Sequence, residues 1–156
     1  MATSKIIPIQ AADVQSPQVQ HPELQRPEVQ DFERLMQLST GLVFTAALQP
    51  IARLKIADLL ADGPQPVAQL ATASGTNADA LYRVMRLLAS VGVFAEMPGK
   101  VFALTPVSHL LRSDVPGSMR DMVLWISNPF HFQVHGELGY SVLTGKPAVE
   151  KVYGKP

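Results

Sequence analysis

The sequence predicts a mainly α fold, a winged helix-turn-helix with a small β-hairpin wing. Three observations carry this. Apolar residues recur at helical spacing from Phe32 onward. Short helical stretches from Leu48 to Val91 follow one another, each closed by a turn or glycine signal. Two β-favouring runs then flank Met97-Pro98-Gly99-Lys100, the pattern of a hairpin.

Residues 1–30 read as a tail. Ser16-Pro17-Gln18-Val19-Gln20, His21-Pro22-Glu23-Leu24-Gln25 and Arg26-Pro27-Glu28-Val29-Gln30 form a five-residue Pro/Gln repeat. A proline in every unit forbids a regular helix, and one Val or Leu per unit cannot build a core. The tail is therefore expected to be extended or disordered, a spacer more than a binding motif. From Asp31 the period becomes helical, with a first helix over 31–46 and a second over 47–61. Pro50 falls in the first turn of the second, where a missing N–H is harmless. Val67 to Ala71 makes a short helix closed by Gly75 in a left-handed cap. Thr76 with Asp79 has the spacing of a capping box and opens a helix over 77–91, stopped by Gly92. Val93 to Glu96 and Val101 to Leu104 form the wing. Thr105-Pro106 caps a short helix ending near Arg112. Helices over 117–127 and 129–144 follow, separated by Asn128-Pro129 and closed by Gly145.

Composition limits the function. The 156 residues carry 13 basic and 13 acidic side chains, a formal net charge of zero, which argues against a role built on phosphate binding. Charged residues are 17% where about 25% is typical, so part of the apolar surface is expected to be covered by a partner. The chain has no cysteine, which rules out disulfides and thiolate sites within it. Met1 to Ile9 lacks the continuous apolar run of a signal peptide, so a cytoplasmic protein is expected. No charge falls between Arg34 and Arg53, but Gln37, Ser39, Thr40, Thr45, Gln49 and Pro50 interrupt the run. That reads as a helix buried by protein and not by lipid, hence no membrane partner.

Finer detail narrows the family. Leu54-Lys55-Ile56-Ala57-Asp58-Leu59-Leu60, Leu70-Ala71 with Gly75, and Leu81-Tyr82-Arg83-Val84-Met85-Arg86-Leu87-Leu88-Ala89-Ser90-Val91-Gly92-Val93-Phe94 lie in one order. Leu104-Thr105-Pro106, Leu110-Leu111-Arg112, the run Gly139 to Ala148 and Val152-Tyr153-Gly154 continue it. Over about residues 35–156 the chain resembles the N-terminal dimerisation domain of S-adenosylmethionine-dependent O-methyltransferases of the caffeate, acetylserotonin and polyketide type. The resemblance implies extra dimerisation helices, a homodimer and a small, aromatic hydroxyl acceptor. It also implies a Rossmann-like catalytic domain, which would hold S-adenosylmethionine and a catalytic histidine. No Gly-x-Gly-x-Gly loop and no alternation of strands and helices is present. Residues 31–156 are therefore expected to be that dimerisation domain, truncated before the catalytic domain. They are expected to carry no catalytic residue and no cofactor-binding residue, and to be inactive alone.

Candidate site residues cluster late in the chain. Trp125, Phe130, His131, Phe132 and His135 group rings in a region otherwise short of them. From composition alone this is core packing; the resemblance implies a roof over the acceptor, with Trp125, Phe130, His131 and His135 lining it. Because that family carries an aromatic residue near the position of His135, a histidine there is expected to alter acceptor preference. His131 and His135 are spaced for one metal, but no glutamate accompanies them in the zinc-protease arrangement, and no metal site is expected. Arg83 and Arg86 lie on the helix that reads DNA in winged-helix regulators. A DNA-binding regulator is the alternative, opposed by Asp79, by the neutral balance and by a wing whose only cation is Lys100.

Overall fold

The computed structural model describes residues 28–154, so the tail expected over 1–30 lies almost wholly outside the described residues. The elements run α1 (Val29–Arg53), α2 (Ile56–Leu59), β1 (Gln65–Pro66), α3 (Val67–Ser74), α4 (Ala78–Ala89), β2 (Phe94–Met97), β3 (Val101–Leu104). Then come α5 (Pro106–His109), α6 (Arg120–Ile126), α7 (Pro129–Gly136), α8 (Leu138–Thr144) and α9 (Ala148–Tyr153). The described chain is mostly helical. Its strands form one antiparallel sheet in the order β1-β3-β2.

α1 corrects the expectation of two helices over 31–46 and 47–61. It is one helix of 25 residues with Pro50 inside its last turn. There the missing N–H costs a single ladder bond, so the helix continues for three more residues. What ends it is Lys55, held in the left-handed region at φ 54°. α2 is a single turn beyond that break. At the other end the Glu28 N–H donates to the Asp31 carboxylate at 3.0 Å, which also places negative charge at the helix start.

Two expected helix ends fall where glycine supplies the left-handed conformation. Gly75 closes α3 at φ 67° and Gly145 closes α8 at φ 70°. The start of α4 differs from the Thr76 capping box. Asn77 is the cap, its side chain accepting from the Ala80 N–H at 3.0 Å, while the Thr76 hydroxyl pairs with Ser74 at 2.9 Å. The expected helix over 129–144 is two, α7 and α8, parted at Glu137.

The core sits where α1, α2, α3 and α4 meet the hairpin. Ile51, Ile56, Leu60, Leu70, Met85, Leu88, Phe94 and Phe102 are all almost fully buried. Burying each large side chain stabilises by roughly 1.5–3 kcal/mol. β2 pairs with β3 from Phe94 opposite Leu104 to Met97 opposite Val101. The hairpin is fastened to α4 by Tyr82, whose hydroxyl donates to Glu96 at 2.9 Å and whose ring lies edge-on to Phe102 at 6.1 Å. That bond to the Glu96 carboxylate holds the phenol proton, raising Tyr82 above its ordinary range. β1 adds two residues to the free edge of β3, a pairing unseen in sequence because Pro66 argues against a strand.

Thr105 joins the hairpin to the later helices. Its hydroxyl accepts from the Ser108 N–H at 3.3 Å and donates to the Val93 carbonyl at 2.7 Å, while its own N–H donates to Ser108 Oγ at 2.8 Å. Asp58 makes a second tie. Its Oδ1 accepts from the N–H and hydroxyl of Ser113 at 2.8 and 2.9 Å, across 55 residues of chain. Thr105→Val keeps the shape and removes every hydroxyl bond, including the one to the Gly92 carbonyl at 3.1 Å. It is expected to cost about 1–2 kcal/mol, seen as a lower urea midpoint at unchanged slope.

Candidate functional site

The corner between α6 and α7 is built by local sequence. Ser127 ends α6, fully buried, its hydroxyl donating to the Val123 carbonyl at 2.6 Å. Asn128 then caps α7, its side chain accepting from the Phe130 N–H at 3.0 Å, and Pro129 takes the first helical position. The turn between the helices is thus two residues long. It brings the last turn of α6 against the first turn of α7.

The ring positions follow from that turn. The Trp125 and His131 rings meet edge-on at 4.7 Å, and His131 Nδ1 lies 2.7 Å from the Trp125 carbonyl oxygen. Phe130 lies edge-on to His131 at 5.5 Å, and His135 stacks beyond His131 at 6.2 Å. Trp125, Ile126, His131 and His135 line a half-open cavity of about 140 Å³. Three of the four expected lining residues are therefore gathered there. Phe130 is not on that wall: it stacks on Tyr153 of α9 at 5.1 Å, and the Tyr153 hydroxyl donates to Gln133 at 2.6 Å. Ile126, Gln133 and Tyr153 were missed as members of the corner. Only the return of α9 brings Tyr153 near, and nothing local in the sequence announces it. Phe132 joins none of these ring pairs. The corner is open, with Trp125 64% exposed.

A carbonyl oxygen only accepts, so His131 Nδ1 carries the proton. A neutral His131 then keeps its lone pair on Nε2. The corner offers a largely apolar wall, suited to a flat molecule. Among the described residues no group of three or more His, Asp or Glu side chains is placed for a metal. The dinucleotide-binding arrangement of a parallel sheet is likewise not among the described residues. The sheet is antiparallel, and no strand leads through a glycine-rich turn into a helix.

The second feature is α1. Phe32, Leu35, Leu38, Leu42 and Val43 are all more than half exposed. By length and composition the helix could cross a bilayer, with only 17% of its most apolar window buried. Arg83 and Arg86 are exposed on α4, with Asp79 exposed one turn before.

The tautomer has a direct test. Imidazole nitrogen NMR of neutral His131 is expected to show a protonated Nδ1 and a bare Nε2. The opposite tautomer would remove the bond to Trp125 from the account of this corner.

Comparison with known proteins agrees with the resemblance. Residues 36–114 match the O-methyltransferase dimerisation domain family. Phenazine O-methyltransferase PhzM of Lysobacter antibioticus is 40% identical over 120 residues, covering 77% of this chain and 35% of that protein. The 8-amino-8-demethylriboflavin N,N-dimethyltransferase of Streptomyces davaonensis is 38% identical over 124 residues, covering 80% and 36%. The crystal structure of CalO1, a methyltransferase in calicheamicin biosynthesis in its SAH-bound form, superposes with a TM-score of 0.71 at 35% identity, covering 85% of this chain and 39% of that one. The chain spans about a third of the length of the curated relatives it matches. None of these relatives lends support to the DNA-binding alternative. With half of its residues matched and its helical fold shared, the chain belongs to the O-methyltransferase dimerisation domain family.

Proposed function

We propose that this chain is the N-terminal dimerisation and acceptor-covering domain of an S-adenosylmethionine-dependent O-methyltransferase that acts on a small aromatic hydroxyl. The observation that carries the reading is α1. In a chain of a dimerisation-domain family, it leaves Phe32, Leu35, Leu38, Leu42 and Val43 exposed. Monomers rarely show such a contiguous apolar surface. A second copy of the chain covers it, and not lipid. α2, α3 and α4 with the β2–β3 hairpin are read as the winged helix-turn-helix, and α1 and α6 to α9 as the added dimerisation and lid helices. Residues 31–156 make up this domain and 1–30 a Pro/Gln tail. A Rossmann-like domain elsewhere in the whole protein binds S-adenosylmethionine, in the cytoplasm, and no nucleic acid takes part.

S-Adenosylmethionine supplies the methyl group that the acceptor hydroxyl receives. This chain's share is placement. Trp125, His131 and His135 form one wall against the flat acceptor, with Phe130 backed by Tyr153 beside it. Closing that wall excludes water and holds the acceptor at one angle, which is where proximity lowers the barrier. His131 Nε2 accepts a hydrogen bond from a donor on the acceptor's edge. The SAH-bound CalO1 supports the cofactor. The phenazine and riboflavin named for the two curated relatives support a flat acceptor. One of those relatives is named for O-methylation and the other for N,N-dimethylation, so an N-terminal domain of this kind is compatible with either acceptor atom.

In the complete enzyme, Phe130→Ala or His131→Ala is expected to raise the acceptor's KM several-fold while S-adenosylmethionine affinity is unchanged. Steady-state kinetics with calorimetry of cofactor binding reads both. Wild-type acceptor kinetics with only a lower Tm would make these residues structural and remove the lid from the account.

A further inference from the structure

Residues 28–39 are all exposed, so the first half of α1 stands clear of its own fold. Phe32 is the aromatic residue of that arm, 65% exposed. At about 100° per residue, Phe32, Met36, Val43 and Pro50 lie within about 40° of one another and form one stripe along the helix. The stripe runs into an apolar cavity of about 160 Å³. Pro50, Ile51 and Leu54 wall it on one side, and Ala80, Leu81 and Val84 on the other. A cavity of about 150 Å³ with aliphatic walls accommodates a benzene ring. A chain's own Phe32 cannot reach it, being about 27 Å away at about 1.5 Å per residue.

We propose that the Phe32 ring of a second copy fills this cavity, through antiparallel pairing of two α1 helices about a two-fold axis. The inference rests on the reading of the chain as a homodimer and specifies how the two copies interlock. In a two-fold contact, residue i meets j and j meets i. An axis level with residues 41–43, midway along the stripe, sets Phe32 of each copy against Pro50 to Leu54 of the other. Charge agrees with this direction. The arm begins with exposed Glu28, Asp31 and Glu33, followed by exposed Arg34, so this end is acidic on balance, and the far end of the helix carries exposed Arg53 and Lys55. Antiparallel pairing brings acid to base. Parallel pairing sets acid against acid and leaves both cavities empty.

The chain contains no cysteine, which makes the test clean. Positions 32 and 54 of one chain are about 33 Å apart along the helix, far beyond the roughly 7 Å a disulfide can bridge. A bond between them therefore joins two copies. The 156-residue chain carrying Phe32→Cys and Leu54→Cys, exposed to oxidised glutathione at tens of micromolar, is expected to run as a covalent dimer. Each single variant is expected to stay uncrosslinked. Phe32→Ala, at an exposed position, is expected to keep the circular dichroism spectrum and weaken dimerisation at least about tenfold, as loss of an aromatic anchor does. Rapid crosslinking of Phe32→Cys alone would overturn the antiparallel pairing, and an unchanged dimer Kd for Phe32→Ala would overturn the plug. Sedimentation of the unaltered chain and of the double variant separates the two levels. A double variant that sediments as a dimer yet fails to crosslink contradicts this inference alone, whereas a monomeric unaltered chain contradicts the homodimer as well.

Discussion

The first half of α1 packs against nothing in its own chain, and its need for cover constrains the rest. A helix this long is not held by propensity; its stability comes from tertiary burial of its apolar side. Only Ala47, Ile51 and Ala52, near its C-terminal end, are buried within the fold. The exposed apolar residues before them would each gain roughly 1.5–3 kcal/mol on full burial. Two copies burying them together offset the association cost, which runs to about 4–15 kcal/mol. One copy alone has no such compensation.

The same helix ties this surface to the ring corner. α6 packs along α1, and Arg120 Nε donates to the Ala52 carbonyl at 2.8 Å. That carbonyl belongs to the last turn of α1, where a cation is favoured by the helix dipole. Arg120 is also the first residue of α6, whose last turn carries Trp125. The helix read as the dimer surface thus positions the helix that begins the corner. The Asp58–Ser113 bonds tie the loop that leads into α6 back to α2.

Local rules made most of the fold legible. Thr105-Pro106, Asn128-Pro129, Gly75 and Gly145 act within a few residues of themselves, and their elements start or end where the sequence places them. The failures were also physical. Pro50 looked like a helix start because its own missing bond was counted, whereas the helix tolerates that loss in its last turn. The true break, at Lys55, uses a left-handed conformation in a residue that gives no sign of it. Asn77 displaced Thr76 as a cap because both flank the turn and only geometry selects one. In the candidate corner, Trp125, His131 and His135 were legible as a cluster because one turn joins their helices. The Phe130–Tyr153 stack was not, since it depends on how α7, α8 and α9 follow one another.

Hydrogen exchange along α1 tests the central claim most directly. Amides of residues 42–53, compared at submicromolar and at tens of micromolar protein, report whether a second copy covers the helix. The account predicts protection that rises with concentration and extends into the arm over residues 32–41. Fast exchange of the arm, the same at both concentrations, would show that no second copy covers α1 and would contradict it.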